Sequence, residues 1–284
     1  MRMRSLVLML AVSLATLAQA YTLQFKDAAG TTRTYRSQMA ITGAMSGAGM
    51  NLPIEAVVEM ALIEKVLDVR DQVSSVSYGS SNGVMRVKVT GLPGEEEEET
   101  IDQELPDFTF TYNRTPQGKV SNVKTHGEIT HLFLGPVDML LNPAENPGQG
   151  LELPAGDVKI GDTWTGTQTA LVGAAQAKVT ATYTLAGTEV VNGKTYLKIT
   201  SDTVISVPGA TIDTAEGDEE NPVALVLNLK GRTTTLFDEA AGEPFRTTFT
   251  LAGTMTMSGP ETMGMEVKTT LNVNGTMEKV ANQG

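Results

Sequence analysis

Ala177, Val179, Ala181, Tyr183 and Leu185 alternate with Lys178, Thr180, Thr182 and Thr184. A two-residue period sends one set of side chains to each face of an extended strand, one face dry and the other wet. The same period runs through Phe249, Leu251, Met255 and Met257 against Thr248, Thr250, Thr254 and Thr256, and through Phe108, Phe110 and Tyr112 against Thr109 and Thr111. The abundance of threonine also suits a pleated, half-buried surface. Asn82-Gly83 and Asn192-Gly193 each lie between strand-like runs and predict tight hairpins, while Pro116-Gln117-Gly118 and Glu239 to Gly242 predict looser turns. The fold class is therefore mainly β, with antiparallel sheets forming two related half-barrel or sandwich-like units.

One stretch carries two patterns. Ile54, Val57, Val58, Ala61, Leu62, Val66 and Val69 fit a helical stripe, but the segment lacks an N-cap and is rich in β-branched residues. Its position between strand-like runs favours a strand. Pro136 to Leu141 predicts one short helical turn opened by proline, and Asn142 to Gly150, with two prolines and two glycines, predicts a linker. Two halves follow, 21–141 and 151–284. In each, a glycine (Gly30, Gly161) precedes a strand with a large aromatic residue (Tyr35, Trp164). Long strands, an Asn-Gly dipeptide, an acidic stretch and a glycine turn come next, Tyr112-Asn113 before Gly118 matching Phe237-Asp238 before Gly242. Order and spacing together suggest a duplicated β unit. Met265 to Val280 is then an extra strand closing the second unit.

Residues 1–20 have the form of a secretory signal peptide. Arg2 and Arg4 form the charged start, Ser5 to Leu17 the apolar run, and Ala18-Gln19-Ala20 a small-x-small cleavage site. The run is too short to span a bilayer and no later stretch is long enough, so the expected product begins at Tyr21, is periplasmic or secreted, and is not membrane-spanning. The exported part holds 19 bases and 33 acids, a net of −14. Leu92 to Asp107 contains eight acids and no base, and Asp213 to Glu220 five acids and no base, leaving 20 acids against 19 bases elsewhere. Such like-charged blocks repel themselves, which predicts solvated loops at both places.

The block Leu153-Pro154 … Val158-Lys159-Ile160-Gly161-Asp162-Thr163-Trp164 resembles one that recurs in uncharacterised, exported bacterial β-rich proteins of unknown function. So does Tyr35 … Met45-Ser46-Gly47 … Met50-Asn51-Leu52-Pro53 ahead of a long hydrophobic segment. Only the Gly-Asp-x-Trp part is distinctive. The resemblance implies an exported β-protein and a strand at Ile54 to Val69; it implies no activity. At the level of fold alone, a repeated half-barrel is also similar to periplasmic lipoprotein carriers.

Composition narrows the chemistry. With no cysteine there is no disulfide, thiolate metal site or cysteine nucleophile. A pI near 4.7 disfavours nucleic acid. Gly79-Ser80-Ser81-Asn82-Gly83 matches the nucleophile elbow G-x-S-x-G, but a strand at Val84 to Val89 stands where the elbow requires a helix. His126 and His131, five apart, point to opposite faces of a strand and cannot chelate one ion together without a bend. Met255-x-Met257 and Met263-x-Met265 suggest a copper(I) site, against which stands their place on apolar stripes with Phe249 and Leu251, and with Val267 and Leu271. The acidic blocks lack the calcium-loop spacing. Trp164, the sole tryptophan, fits a core anchor better than a sugar platform. No catalytic, cofactor-binding or metal residue is nominated, and no cofactor is expected. The expected role is a non-catalytic exported β-protein that binds a ligand or partner or supports the envelope. The alternatives are a periplasmic carrier of an apolar, lipid-like ligand and an exported hydrolase.

Overall fold

A computed structural model describes residues 19–47, 50–89, 99–105, 107, 109–126, 151–172, 175–213, 222–259 and 266–280. Every regular element among them is a strand. In the first half these are β1 (Ala20–Tyr21), β2 (Thr32–Gly47), β3 (Met50–Arg70), β4 (Val73–Val89), β5 (Glu99–Leu105), β6 (Thr109–Arg114) and β7 (Val120–His126). In the second they are β8 (Val158–Lys159), β9 (Thr163–Val172), β10 (Ala175–Val191), β11 (Lys194–Asp213), β12 (Pro222–Asp238), β13 (Glu243–Ser258) and β14 (Glu266–Lys279). β1 and β8 form a two-stranded sheet. All others form one 12-stranded antiparallel sheet in the order β7-β6-β4-β3-β2-β14-β13-β12-β11-β10-β9, with β5 also on β4.

The strands of 21–141 thus occupy one side of this sheet and those of 151–284 the other. β14 stands at the junction: it pairs with β13 on one side and with β2 on the other, Thr269 opposite Met45 and Lys279 opposite Tyr35. It joins the halves instead of closing the second on itself. Among the described residues β7 and β9 do not pair, so backbone pairing does not close the sheet into a barrel.

Alternation makes one face oily and the other wet. Inward positions include Ile41, Val58, Met85, Val179, Ile205, Leu225, Leu227, Leu229, Met255, Leu271 and Val273, all buried. Outward positions of β13, β14 and β2 carry Thr248, Thr250, Thr254, Thr256, Thr270, Asn272, Asn274, Gln38 and Thr42. On these three strands the outward rows are polar, while Ile63 and Leu67 on β3, Val204 on β11 and Val226 on β12 are exposed apolar positions. The inner face is tightly curled. Along one row across the strands, Gly43, Leu271, Gly253 and Leu229 alternate. A Cβ on Gly43 would lie 2.0 Å from the Thr270 carbonyl oxygen, and one on Gly253 2.0 Å from that of Asn228. Only glycine admits such close approach of neighbouring strands, and the leucines fill the space the glycines leave.

Two irregular segments cross one end of the sheet. Phe25 N–H donates to the Pro116 carbonyl (2.7 Å) and Lys26 N–H to that of Gly242 (3.2 Å). Leu153 N–H donates to Gln117 (2.8 Å), beside β7, while Trp164 Nε1 on β9 donates to the neighbouring Glu152 carbonyl (2.7 Å). Residues 152–153 therefore tie the two edges of the sheet together at this end. The halves carry matching closures. Gly30 (φ 85°) donates to Val66, whose N–H returns to Thr31; Gly161 (φ 97°) donates to Leu185, whose N–H returns to Asp162. The register slips directly after both acceptors, between Val66 and Asp68 and between Leu185 and Gly187.

Ile54 to Val69 is strand, within β3. Asn192-Gly193 turns between β10 and β11, and the turns at Gly118 and Gly242 are also present. Asn82-Gly83 corrects the expectation of a hairpin. It lies inside β4, where Asn82 (φ 52°) bulges opposite Met60 and the strand changes partner from β6 to β5. The hairpin turn is Asp71-Gln72, two non-glycine residues at φ 49° and 65°. The first acidic block corrects a second expectation, since Glu99–Leu105 is strand β5. Its Asp102 faces Arg86 at 2.8 Å, so an opposite charge on the partner strand offsets the repulsion that predicted a loop. Pro136 to Leu141, the linker 142–150 and residues 214–220 lie outside the described residues.

Candidate functional site

The face that is apolar along most of each strand turns ionic near the crossed end. Arg33 follows the inward alternation of β2, Glu64 that of β3 and Arg114 that of β6. Asp27 descends from the segment before β2, Glu243 opens β13 and Lys279 ends β14. Arg33 donates Nη1 to Glu64 (2.5 Å) and to Asp27 (2.8 Å), and Nε to Glu243 (2.5 Å). Arg114 binds Glu64 through Nη1 (2.8 Å) and Asp27 through Nη2 (2.8 Å), and its guanidinium lies 4.4 Å above the Phe25 ring. Lys279 Nζ binds the other oxygen of Glu243. Three acids meet three bases, and Arg33, Glu64, Arg114 and Glu243 are buried.

Burial alone would raise the carboxyls of Asp27 and Glu64. The charges and hydrogen bonds of Arg114 and Arg33 outweigh it and hold both below the usual carboxylate range. Burial, and then the Glu64 charge, pushes the Tyr35, Tyr78 and Tyr112 hydroxyls upward. These carboxylates stay ionised and engaged at neutral pH, which suits a clamp and does not suit a proton donor. The clamp ties β2, β3 and β6 to β13 and β14 and fastens the segment that crosses the sheet's end.

Above the clamp the inner wall is aliphatic. Met39, Met45, Met60, Met85, Met255, Met257 and Met277 all occupy inward positions. Met85 and Met255 are sealed at 0% exposure, whereas Met39, Met45, Met60, Met257 and Met277 are half-buried, as are Phe249 and Leu251. The half-buried set lies on four adjacent strands, β3, β2, β14 and β13, in two groups separated by sealed Ile41, Val58, Leu271 and Val273, against which Met39, Met60, Phe249 and Leu251 pack. The flanking wall on β11 and β12, from Val207 to Leu227, is closed.

Met255 and Met257 line the interior with Leu251, as their shared stripe implied. Met263 and Met265 lie outside the described residues, as do His131 and the side chain of His126. Among the described residues no three histidine or acidic side chains converge in a metal-holding group. Trp164 stacks on Tyr183 (centroids 5.5 Å, 14°) in the core at the crossed end. The Gly-Asp-x-Trp block is the turn that leads to it, with Asp162 Oδ2 accepting from Lys159 N–H at 2.8 Å. Gly79 to Gly83 runs within a strand and forms no elbow.

The ionic clamp was missed from sequence, though a signal was present. Glu64 continues the stripe Val58, Leu62, Val66, and Arg114 continues Phe110, Tyr112. A charge at an inward position must find a partner in the interior.

No family model matches the chain, and no curated protein does. Two solved structures align loosely. OccK7 (OpdD) of Pseudomonas aeruginosa is 6% identical, over 88% of this chain and 99% of that one, at TM-score 0.27. A DUF1329 family protein from Desulfovibrio piger is 12% identical, over 85% of this chain and 84% of that one, at TM-score 0.17. Likeness at these scores fixes neither fold nor function.

Proposed function

We propose that this chain is exported and works as a non-catalytic carrier, holding an apolar ligand against the inner face of its curled sheet. One observation carries the reading: Met39, Met45, Met60, Met257 and Met277, with Phe249 and Leu251, point inward yet remain half-buried. A fully packed interior would seal such positions, as it seals Met85 and Met255. Apolar surface left accessible on a concave wall favours an apolar guest, and unbranched, polarisable methionine adapts to guests of varied shape. The signal-like start and the resemblance to exported β-proteins support the location.

The test is native mass spectrometry of protein made with its own leader and purified from its natural host, followed by uptake of the apolar dye N-phenyl-1-naphthylamine into stripped protein. Expected are a co-purifying small molecule, and dye uptake that falls in Met39→Glu and Met257→Glu variants whose circular dichroism still shows the sheet. No guest and no uptake would remove the reading.

A further inference from the structure

Ser37 lies where the clamp gives way to the methionine wall. Its neighbours on the inner face are Met60 on β3, Met277 on β14, and Met39 and Tyr35 two positions along β2 in either direction. Ser37 is 5% exposed and Tyr35 3%. Neither hydroxyl makes a hydrogen bond to any described residue. A buried hydroxyl without a partner destabilises a fold unless something else satisfies it. Ser37 is flanked by three half-buried methionines and Tyr35 by Leu62 and by Lys279 of the clamp, so the two successive inward hydroxyls form a polar spot at the inner limit of an apolar wall.

The charge of a matching group follows from the clamp. The nearest cations, Arg33 and Lys279, are already neutralised by Asp27, Glu64 and Glu243. Among the described residues no spare positive charge remains there for a carboxylate or phosphate, and burying an unpaired anion is costly.

Resting on the carrier reading, we propose that the guest is an uncharged single-chain amphiphile, a fatty alcohol or a neutral glyceride. Its hydroxyl head exchanges hydrogen bonds with Ser37 and Tyr35, and its chain lies over Met39, Met60 and Met277 beside Phe249.

Stripped full-length exported protein is titrated by calorimetry with 1-dodecanol and with dodecanoate at pH 8. Dodecanol binds at least about tenfold more tightly, reflecting the cost of an unpaired buried charge. Ser37→Ala and Tyr35→Phe each weaken dodecanol by roughly two- to tenfold, the value of one hydrogen bond. Ser201→Ala, which removes a comparably buried hydroxyl on β11, leaves binding unchanged. Ser37→Ala also leaves the ligand-free melting temperature equal or higher, because it deletes an unsatisfied group; a purely structural serine would lower it. Equal or tighter binding of dodecanoate, or an alcohol preference that survives both Ser37→Ala and Tyr35→Phe, overturns the head-group assignment while leaving the carrier reading intact. Binding of neither probe overturns both.

Discussion

Glu64→Gln tests whether the ionic clamp holds the two halves of the sheet together. Glu64 sits 6% exposed on β3 and accepts from Arg33 at 2.5 Å and from Arg114 at 2.8 and 3.0 Å. Glutamine keeps the shape and one acceptor, but two buried guanidinium groups then share Asp27 and Glu243 alone, with one positive charge in excess. Breaking a buried pair from one side costs about 3–5 kcal/mol. For a chain of this length, 3 kcal/mol corresponds to a melting point lower by about 6–12 °C. Urea denaturation followed by Trp164 fluorescence gives the free energy, and scanning calorimetry the temperature. The pH profile supplies an independent check. The Glu64 carboxyl is held below its unfolded value in the folded protein, so its contribution is complete above the ordinary carboxylate range and fades as pH falls through the folded value. Wild type therefore loses stability on acidification more steeply than Glu64→Gln, and the two converge at low pH. A loss below about 1 kcal/mol at pH 7, or curves that stay parallel down to pH 2, would refute the clamp, because a buried pair of this kind cannot be that cheap to break.

Gly253→Ala places a methyl group 2.0 Å from the Asn228 carbonyl, so strands β12 and β13 must separate. A loss of roughly 1–3 kcal/mol in urea denaturation is expected, and a neutral effect would show that the curl at this row does not depend on glycine. Replacing Asp71-Gln72 by Asn-Gly suits the positive φ values of both positions and raises stability by about 0.5–1 kcal/mol, read as a higher melting temperature. Trp164→Phe keeps the stack on Tyr183 but deletes the bond from Nε1 to the Glu152 carbonyl that joins the sheet's edges; calorimetry should show a loss of about 1 kcal/mol, and faster hydrogen exchange at Leu153.

The amino-acid order alone determined which segments are strands wherever the period of two was unbroken, as in Ala177 to Leu185 and Phe249 to Met257, because which face of a strand is dry is a local property. It also determined the turns at Asn192-Gly193, Gly118 and Gly242, where backbone geometry selects the residue. It misled at Asn82-Gly83: the same dipeptide suits a hairpin and a bulge, and only the partner strands, with β4 passing from β6 to β5, choose between them. It misled again at Glu99 to Leu105, where repulsion within the acidic block is local but Arg86 is supplied from another strand. The clamp left a legible trace in Arg33, Glu64 and Arg114 on otherwise oily stripes, but not the identity of its partners. Asp27, Glu243 and Lys279 arrive from other elements, Glu243 from 210 positions beyond Arg33 along the chain. Those meetings, the half-buried methionines and the pairing of β14 with β2 are decided by how tightly the sheet curls, and curvature is a property of all the strands together.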